Sequence, residues 1–249
     1  MKNKVLFSTL CIGLLYSGCG VKISNDTVIN VGTKDGLVKD SGEVIIKPIY
    51  KRIHNFQGED GRYPHPNLAN VHWLHDNKGN EYAVVENTDG KFGVIDKQGN
   101  LKLKVVYDSI GSFFNGFAKI ELNKKFGLIN NDFTIVLKPT YDEIEEFVFN
   151  TAIVVENGKY GCLDKEMNLK IKPLYDRIYL NSEEMKRIEL DDKWGFVDSD
   201  CNMIAKPIYN YAYDYKNSFA KVKKGKLWGY LDKNGNLVTN TIFTDPDNF

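Results

Sequence analysis

The stretch Lys193-Trp194-Gly195-Phe196-Val197-Asp198, followed by Pro207-Ile208-Tyr209, recurs along the chain with little change. Its central aromatic-glycine pair returns at intervals of 34 residues, with the glycines at Gly93, Gly127, Gly161 and Gly229. A fixed period of this size is typical of repeat proteins, in which each repeat packs against its neighbours. The period therefore predicts the fold.

The residues within one repeat follow the pattern of short β-strands. Phe117–Leu122 alternates apolar and polar residues, as a half-buried strand does, and Asn157-Gly158-Lys159 is typical of a hairpin turn. The next strand contains the repeat glycine, which we expect where another backbone or ring comes close. A third strand, Ile135–Lys138, should end at Pro139, because proline has no N–H to donate. The sequence thus predicts an all-β chain of three-stranded β-meander repeats.

Six repeats can be counted, and they occupy residues 27–249. An aromatic residue follows each repeat glycine by fourteen positions, at Tyr50, Tyr107, Tyr141, Tyr175, Tyr209 and Phe243. Gly36 and Gly93 lie 57 residues apart, 23 more than the period, which indicates an insertion at about 57–80. A propeller blade usually has about 40 to 50 residues. The shorter repeat favours an open, curved array over a propeller-like ring, but it does not decide between the two arrangements.

The repeat resembles that of a known bacterial family. A lysine, an aromatic residue and a glycine, then Asp three residues on, then Lys-Pro-x-Tyr-Asp, is similar to the WG repeat, also called the KWG repeat. The resemblance covers roughly residues 27–243. It implies a β-rich array and does not imply a particular enzymatic reaction. Tryptophan occurs in this motif only at Trp194 and Trp228; the repeats at Gly93, Gly127 and Gly161 carry Phe or Tyr. We expect the ring to fill a core position, because any flat ring can occupy the same place.

The N-terminus has the pattern of a secretory signal. A short basic segment precedes the apolar run Val5–Leu15, which is too short to span a bilayer as a stable helix. Tyr16-Ser17-Gly18-Cys19 resembles the lipobox of bacterial lipoproteins, although Tyr16 stands where that family usually carries Leu. An ordinary cleaved signal with a chance cysteine is the alternative.

The lipobox resemblance implies a lipidated Cys19. Residues 1–18 would be the signal peptide and residues 19–26 a leader between the lipid and the first repeat. Acyl chains on Cys19 would hold the protein at a membrane. We therefore expect a membrane-anchored lipoprotein of the bacterial cell envelope, on its periplasmic or surface face.

The net charge disfavours a nucleic-acid-binding protein, and the positions of the cysteines and lysines indicate structural roles. Lys+Arg and Asp+Glu both total 33, so no net charge attracts nucleic acid. Cys162 follows the glycine of its repeat while Cys201 lies in the next hairpin turn, so their registers imply no disulfide, and Cys162 is interpreted as a small core residue. Lysines cluster near the C-terminus, and we ascribe them to protection of an edge strand: Lys221, Lys223, Lys224 and Lys226.

The insertion contains the residues that best suit a binding site. Long insertions in repeat proteins form loops that often carry function. We take as the candidate binding surface Tyr63, His65, His72, Trp73 and His75. Three imidazoles could ligate zinc, but their spacing matches no standard zinc motif, so no metal or other cofactor is assigned.

The leading hypothesis is an envelope lipoprotein that acts as a binding or scaffold module for a protein or glycan partner. No catalytic motif accompanies the histidines, so an enzyme is not expected. The alternative is a metal-binding protein or metal-dependent enzyme that uses the histidine-rich insertion.

The lipid anchor gives a direct prediction. Cys19→Ala should move the full-length protein from the membrane pellet to the soluble fraction, because the acylated thiol is lost. Fractionation with antibody detection measures this, and mass spectrometry of the wild type should find acyl groups on Cys19. A mutant that stays in the pellet, together with an unmodified wild-type cysteine, would contradict the lipobox assignment.

Overall fold

The computed structural model describes residues 21–23, 26–39, 41–54, 74–75, 81–180 and 183–238. All regular elements in these residues are β-strands. No helix that is long and apolar enough to cross a membrane occurs in these ranges. The chain divides into two compact units, Met1–Pro139 and Thr140–Phe249.

The first unit contains three sheets of consecutive strands; only the last two residues of β13 lie beyond it. Sheet 1 consists of β1 (Val21–Ile23), β2 (Asp26–Val31), β3 (Lys34–Lys39) and β4 (Val44–Tyr50). Sheet 2 consists of β5 (Arg52–His54), β6 (Leu74–His75), β7 (Glu81–Glu86), β8 (Phe92–Asp96) and β9 (Leu101–Tyr107). Sheet 3 consists of β10 (Ser109–Phe114), β11 (Phe117–Leu122), β12 (Lys125–Asn130) and β13 (Ile135–Tyr141).

The second unit contains three further sheets of the same kind. Sheet 4 consists of β14 (Glu143–Ile144), β15 (Thr151–Glu156), β16 (Lys159–Asp164) and β17 (Leu169–Tyr175). Sheet 5 consists of β18 (Arg177–Leu180), β19 (Met185–Leu190), β20 (Lys193–Asp198) and β21 (Met203–Tyr209). The described part of sheet 6 consists of β22 (Tyr211–Ala212), β23 (Phe219–Lys224) and β24 (Leu227–Asp232).

The prediction of an all-β chain of about six meander repeats is confirmed. In sheets 2 to 6 the segment that connects two repeats also pairs, as an additional strand, with the sheet that follows it. In sheet 5, for example, Arg177–Leu180 runs antiparallel to β19, with Ile178 opposite Ile188. The pairing gives hydrogen-bond partners to connecting backbone that would otherwise lack them.

The prediction that the third strand ends at proline is wrong. β17 and β21 run through Pro173 and Pro207 to the following tyrosine. The pairing with the preceding strand shifts register at this point, which marks a bulge where proline needs to donate no ladder hydrogen bond.

The repeat glycine lies directly opposite this bulge. A Cβ on Gly195 would stand 2.4 Å from the carbonyl oxygen of Ala205 and 2.7 Å from the nitrogen of Pro207. The same crowding recurs at Gly161, where the carbonyl oxygen of Ile171 would be 2.7 Å away. The expectation that another backbone closely approaches the glycine is therefore confirmed.

Sheet 5 buries apolar side chains on both of its faces. Val197 and Ile188 form one core layer with Ile153 of sheet 4. Phe196, the neighbour of Val197 in the strand, points the other way and packs with Val222 of sheet 6. Alternation along the strand thus places the two residues after the glycine in two different core layers.

The first unit repeats this arrangement. Val85 and Ile95 of sheet 2 pack with Leu37 of sheet 1. On the other face, Val84 and Val94 belong to a layer with residues of sheet 3. In each unit, then, the sheets stack with apolar layers between them.

The recurrent aspartates and lysines of the motif stabilise turns, as their sequence positions indicate. The carboxylate of Asp176 accepts a hydrogen bond from the backbone N–H of Asp191, 2.8 Å away in the next hairpin turn, and pairs with Lys159. The Lys159 ammonium and the Asp191 N–H hold the pKa of Asp176 below its usual value. The equivalent residue Asp108 makes the same contacts with Asn123 and Lys91.

The structure contradicts the expectation that Cys162 and Cys201 are not bonded. They form a disulfide with their Cα atoms 6.6 Å apart. Cys162 lies on β16, on the face that packs against sheet 5, and the turn after β20 brings Cys201 into the same core layer. Different registers within the repeat do not separate the two cysteines, because the contact is between neighbouring sheets.

The crowded glycine gives the second prediction. Gly195→Ala should lower the free energy of unfolding by at least about 1–3 kcal/mol, the usual cost of overpacking, because the added methyl group meets backbone atoms that cannot rotate away. Gly111→Ala is the control, since its Cβ would stand 3.5 Å from the nearest atom. Urea unfolding followed by circular dichroism measures both; equal stabilities would contradict the role given to Gly195.

Candidate functional site

The structure does not test the candidate surface on the insertion. Tyr63, His65, His72 and Trp73 lie outside the described residues, as does Cys19. Only the backbone of His75 is described; it pairs with Glu81 in the two-residue strand β6. No group of three or more His, Cys, Asp or Glu side chains suited to a metal ion occurs in the described ranges.

A different cluster, of aromatic rings and cations, occurs in the two last sheets. In sheet 5 the guanidinium of Arg187 lies 5.4 Å from the ring centroid of Tyr179 and 5.0 Å from that of Trp194. One repeat further on, the ammonium of Lys221 lies 5.9 Å from the ring centroid of Tyr213 and 5.0 Å from that of Trp228. Such cation–π contacts orient the side chains and favour a fixed geometry.

The cluster in sheet 5 is held in place by sheet 6. Nη1 of Arg187 donates a 2.8 Å hydrogen bond to the carbonyl oxygen of Ala212. Its Nε lies 2.6 Å from Oδ1 of Asp214, as an ion pair that lacks the alignment of a hydrogen bond. The ring of Trp194 is half-buried beside this network and packs against the Phe196 core layer. This copy of the cluster is a structural contact between two sheets.

The cluster in sheet 6 lies on a face that no further sheet covers among the described residues. We call this the outer face of sheet 6; it consists of Tyr211, Tyr213, Phe219, Lys221, Lys223, Trp228 and Tyr230. The ring centroids of Tyr211, Tyr213 and Trp228 lie 6.0–6.4 Å apart. Tyr211 and Tyr213 are 59% and 52% exposed. Exposed apolar patches of this kind often mark interaction sites.

A groove of about 840 Å³ runs along the outer face. Rings of Tyr213, Phe219 and Tyr230 line it, together with the polar side chains of Asp214, Lys216 and Asn217. Its volume is within the range of ligand pockets, and so is its combination of mostly apolar walls with a few polar groups.

The groove rests on a rigid support. The ring of Tyr215 is buried and packs edge-on against Phe196, with centroids 5.0 Å apart. Its hydroxyl donates a 2.8 Å hydrogen bond to the carbonyl oxygen of Asp232. Burial raises the pKa of Tyr215 to about 12, so the phenol keeps this donor proton at neutral pH. The carboxylate of Glu183 accepts hydrogen bonds from the N–H groups of Asn217 and Ser218, which fixes the turn at the edge of the groove.

Sequence reasoning assigned these residues other roles. Trp228 and Trp194 were expected in the core, yet both rings are only half-buried, because the residue before the glycine lies at the edge of its core layer. The lysines near the C-terminus were ascribed to edge protection, whereas two of them lie over the Trp228 ring. One available signal was the run Tyr211-Ala212-Tyr213-Asp214-Tyr215, whose three tyrosines exceed those of any other connecting segment.

The chain matches a known repeat family. The model for the WG containing repeat matches residues 36–64, 92–126, 126–160, 160–194 and 194–228, which together are more than half of the chain. No curated protein matches it.

Several solved structures show a low similarity. Kluyveromyces lactis Hsv2 is 8% identical with a TM-score of 0.32, over 64% of this chain and 59% of that one. A eukaryotic initiation factor is 9% identical with a TM-score of 0.34, over 89% and 63%. The WD40 domain of SCAP from fission yeast is 12% identical with a TM-score of 0.25, over 66% and 53%. The chain spans less than two thirds of the length of each, and these likenesses carry no functional conclusion.

The two copies of the ring cluster should respond differently to truncation. Trp194→Ala should lower the free energy of unfolding by about 2 kcal/mol, less than the 3–5 kcal/mol of a fully buried ring, because Trp194 is half-buried between two sheets. Tyr213→Ala should change it by less than about 0.5 kcal/mol, because that ring is exposed. Thermal and urea melts measure both, and similar losses would contradict the assignment of one copy to structure and the other to the surface.

Proposed function

Because the chain belongs to the WG containing repeat family, we propose that it is an envelope lipoprotein whose repeats form a binding module. The partner, a protein or a glycan, lies against the outer face of sheet 6. The lipid on Cys19 holds the module at the membrane, and the repeats present the binding face.

The observation that carries this proposal is the exposed three-ring cluster beside the groove. Large rings with polar edges supply much contact area at low conformational cost and are frequent in binding sites. Tyr179, the equivalent of Tyr213 one repeat earlier, is partly covered beside the contact between Arg187 and sheet 6, so Tyr213 is more exposed than its equivalent.

The disulfide supports the proposed location. Disulfides form and persist in oxidising compartments and are rare in the cytosol of most organisms. A Cys162–Cys201 bond is therefore consistent with export, which the signal-like N-terminus predicts. Binding by ring packing and charge pairing needs no nucleophile or metal, so we assign no reaction to this face.

Capture from native envelopes tests the proposal. Full-length protein, extracted in detergent and immobilised, should retain an envelope protein or glycan, identified by mass spectrometry and sugar analysis. Tyr211→Ser with Tyr213→Ser should abolish this retention without changing the melting temperature, because both rings are exposed.

Deletion of residues 57–80 is the matched comparison. The core residues of β7 and β8 lie outside this segment, and of the described strands only the two-residue edge strand β6 is lost. The deletion variant should stay folded and keep its partner. If it loses the partner while the double tyrosine variant keeps it, the site lies in the histidine-rich insertion and our assignment is wrong.

A further inference from the structure

The charges around the outer face of sheet 6 indicate which chemical class of partner this face binds. This inference rests on the proposed function, because it names the ligand class for the same face. We propose that the face binds an acidic polysaccharide, whose sugar rings stack on Tyr211 and Tyr213 and whose anionic groups pair with the lysines of β23 and its hairpin.

The ring cluster suits sugars in particular. One face of a pyranose ring presents mainly C–H groups, which pack against the electron-rich face of an aromatic ring. Tyr211 and Tyr213 are half or more exposed, and their centroids are 6.4 Å apart with the planes tilted by 39°. Two exposed rings at an angle can contact successive units of a twisted polysaccharide chain, while the adjacent groove has room for the chain to continue.

The carboxylates near the groove already have partners. Asp214 is paired with Arg187 of sheet 5. Glu183 accepts two backbone hydrogen bonds and lies 3.5 Å from the ammonium of Lys233. These contacts hold the pKa of Glu183 below its usual value, the backbone hydrogen bond from Ser218 contributing most. Neither carboxylate therefore presents an uncompensated negative charge to a ligand.

The lysines, in contrast, leave positive charge on this face. The ammonium of Lys223 lies 5.3 Å from the Trp228 ring centroid, next to Tyr211 in the sheet register. Within the described part of the chain, Lys223 pairs with no carboxylate, and neither does Lys226 in the hairpin turn after β23. Lys216 lines the groove itself. Complementary charge favours an anionic ligand and sets its position along the surface.

An anionic membrane surface is the other partner that tyrosines and lysines could suit, since such residues gather at bilayer interfaces. The shape of the site favours a polysaccharide. The rings border a groove whose lining includes the carboxylates of Asp214 and Glu183. The surface of a bilayer is too broad to enter this groove, whereas a single polysaccharide chain can fill it and offer hydroxyl groups to its polar side chains.

Binding to defined polymers tests the inference. Full-length protein in detergent should bind polygalacturonate, measured by calorimetry and by retardation in affinity gels, and should bind neutral dextran at least about tenfold more weakly because the lysines then have no partner. Tyr211→Ser with Tyr213→Ser should weaken polygalacturonate binding at least about tenfold, as loss of aromatic anchors does. Higher salt should weaken binding as well.

The lysine contribution has a matched control. Lys223→Gln with Lys226→Gln should weaken polygalacturonate binding several-fold, because the variant lacks one charge beside the Trp228 ring and one in the adjoining hairpin turn. Lys172→Gln with Lys206→Gln removes the same charge from exposed positions on sheets 4 and 5 and should leave binding unchanged. Equal losses in the two variants would mean that net charge alone attracts the polymer, and the inferred site would be wrong.

Four outcomes separate this inference from the proposed function. Equal binding of dextran and polygalacturonate, unaffected by the lysine variants, would overturn the acidic ligand class but keep the ring surface. Sedimentation with phosphatidylglycerol vesicles, without polymer binding, would assign the face to membrane contact and overturn the inference. No polymer binding, with envelope capture that still depends on Tyr211 and Tyr213, would overturn the inference alone; capture independent of both tyrosines would overturn the proposed function too.

Discussion

The contact between the repeat glycine and the backbone opposite it is the constraint on which sheets 1 to 5 depend. At Gly195 the carbonyl of Ala205 and the nitrogen of Pro207 occupy the space that a side chain would need. Proline suits the bulge because it has no N–H group that would require a ladder partner. The glycine and the proline are thus complementary. The glycine leaves room for the opposite backbone, and the proline needs no hydrogen-bond partner where the ladder is interrupted.

This contact also sets the register that makes stacking possible. With the glycine in place, the next two residues of the strand face opposite sides of the sheet, as Phe196 and Val197 do. Because a sheet of three or four short strands has two apolar faces, it cannot bury both by itself and packs against neighbouring sheets. The aromatic residue before the glycine lies at the edge of the core layer, which explains why Trp, Tyr and Phe are all accepted there.

Much of this fold could be predicted from the sequence, because it depends on contacts within one period. The glycine spacing, the turn residues and the alternation in segments such as Phe117–Leu122 all report local backbone geometry. The path of the third strand through Pro207 was not predictable in the same way. A missing donor is visible in the sequence, but the bulge that tolerates it depends on the strand opposite.

Contacts between neighbouring sheets, and the faces that such contacts cover, were harder to predict from the sequence. The bond between Cys162 and Cys201 joins two repeats, so positions counted within one repeat gave the wrong answer. The candidate surface was missed for a related reason. Tyr213, Lys221 and Trp228 have the same character as Tyr179, Arg187 and Trp194, and only the absence of a following sheet among the described residues distinguishes them. The histidine-rich insertion stays a prediction.

The equivalence of these two ring clusters has an evolutionary consequence. Repeat proteins change length by duplication of whole units, and a unit added after sheet 6 would bring an apolar face and an acidic residue like Asp214 onto Tyr213 and Lys221. The proposed binding surface would then become interior packing, and the added sheet would present an equivalent surface. In such an array, the number of repeats decides which aromatic residues meet a ligand and which meet the protein itself, without any substitution in the residues concerned.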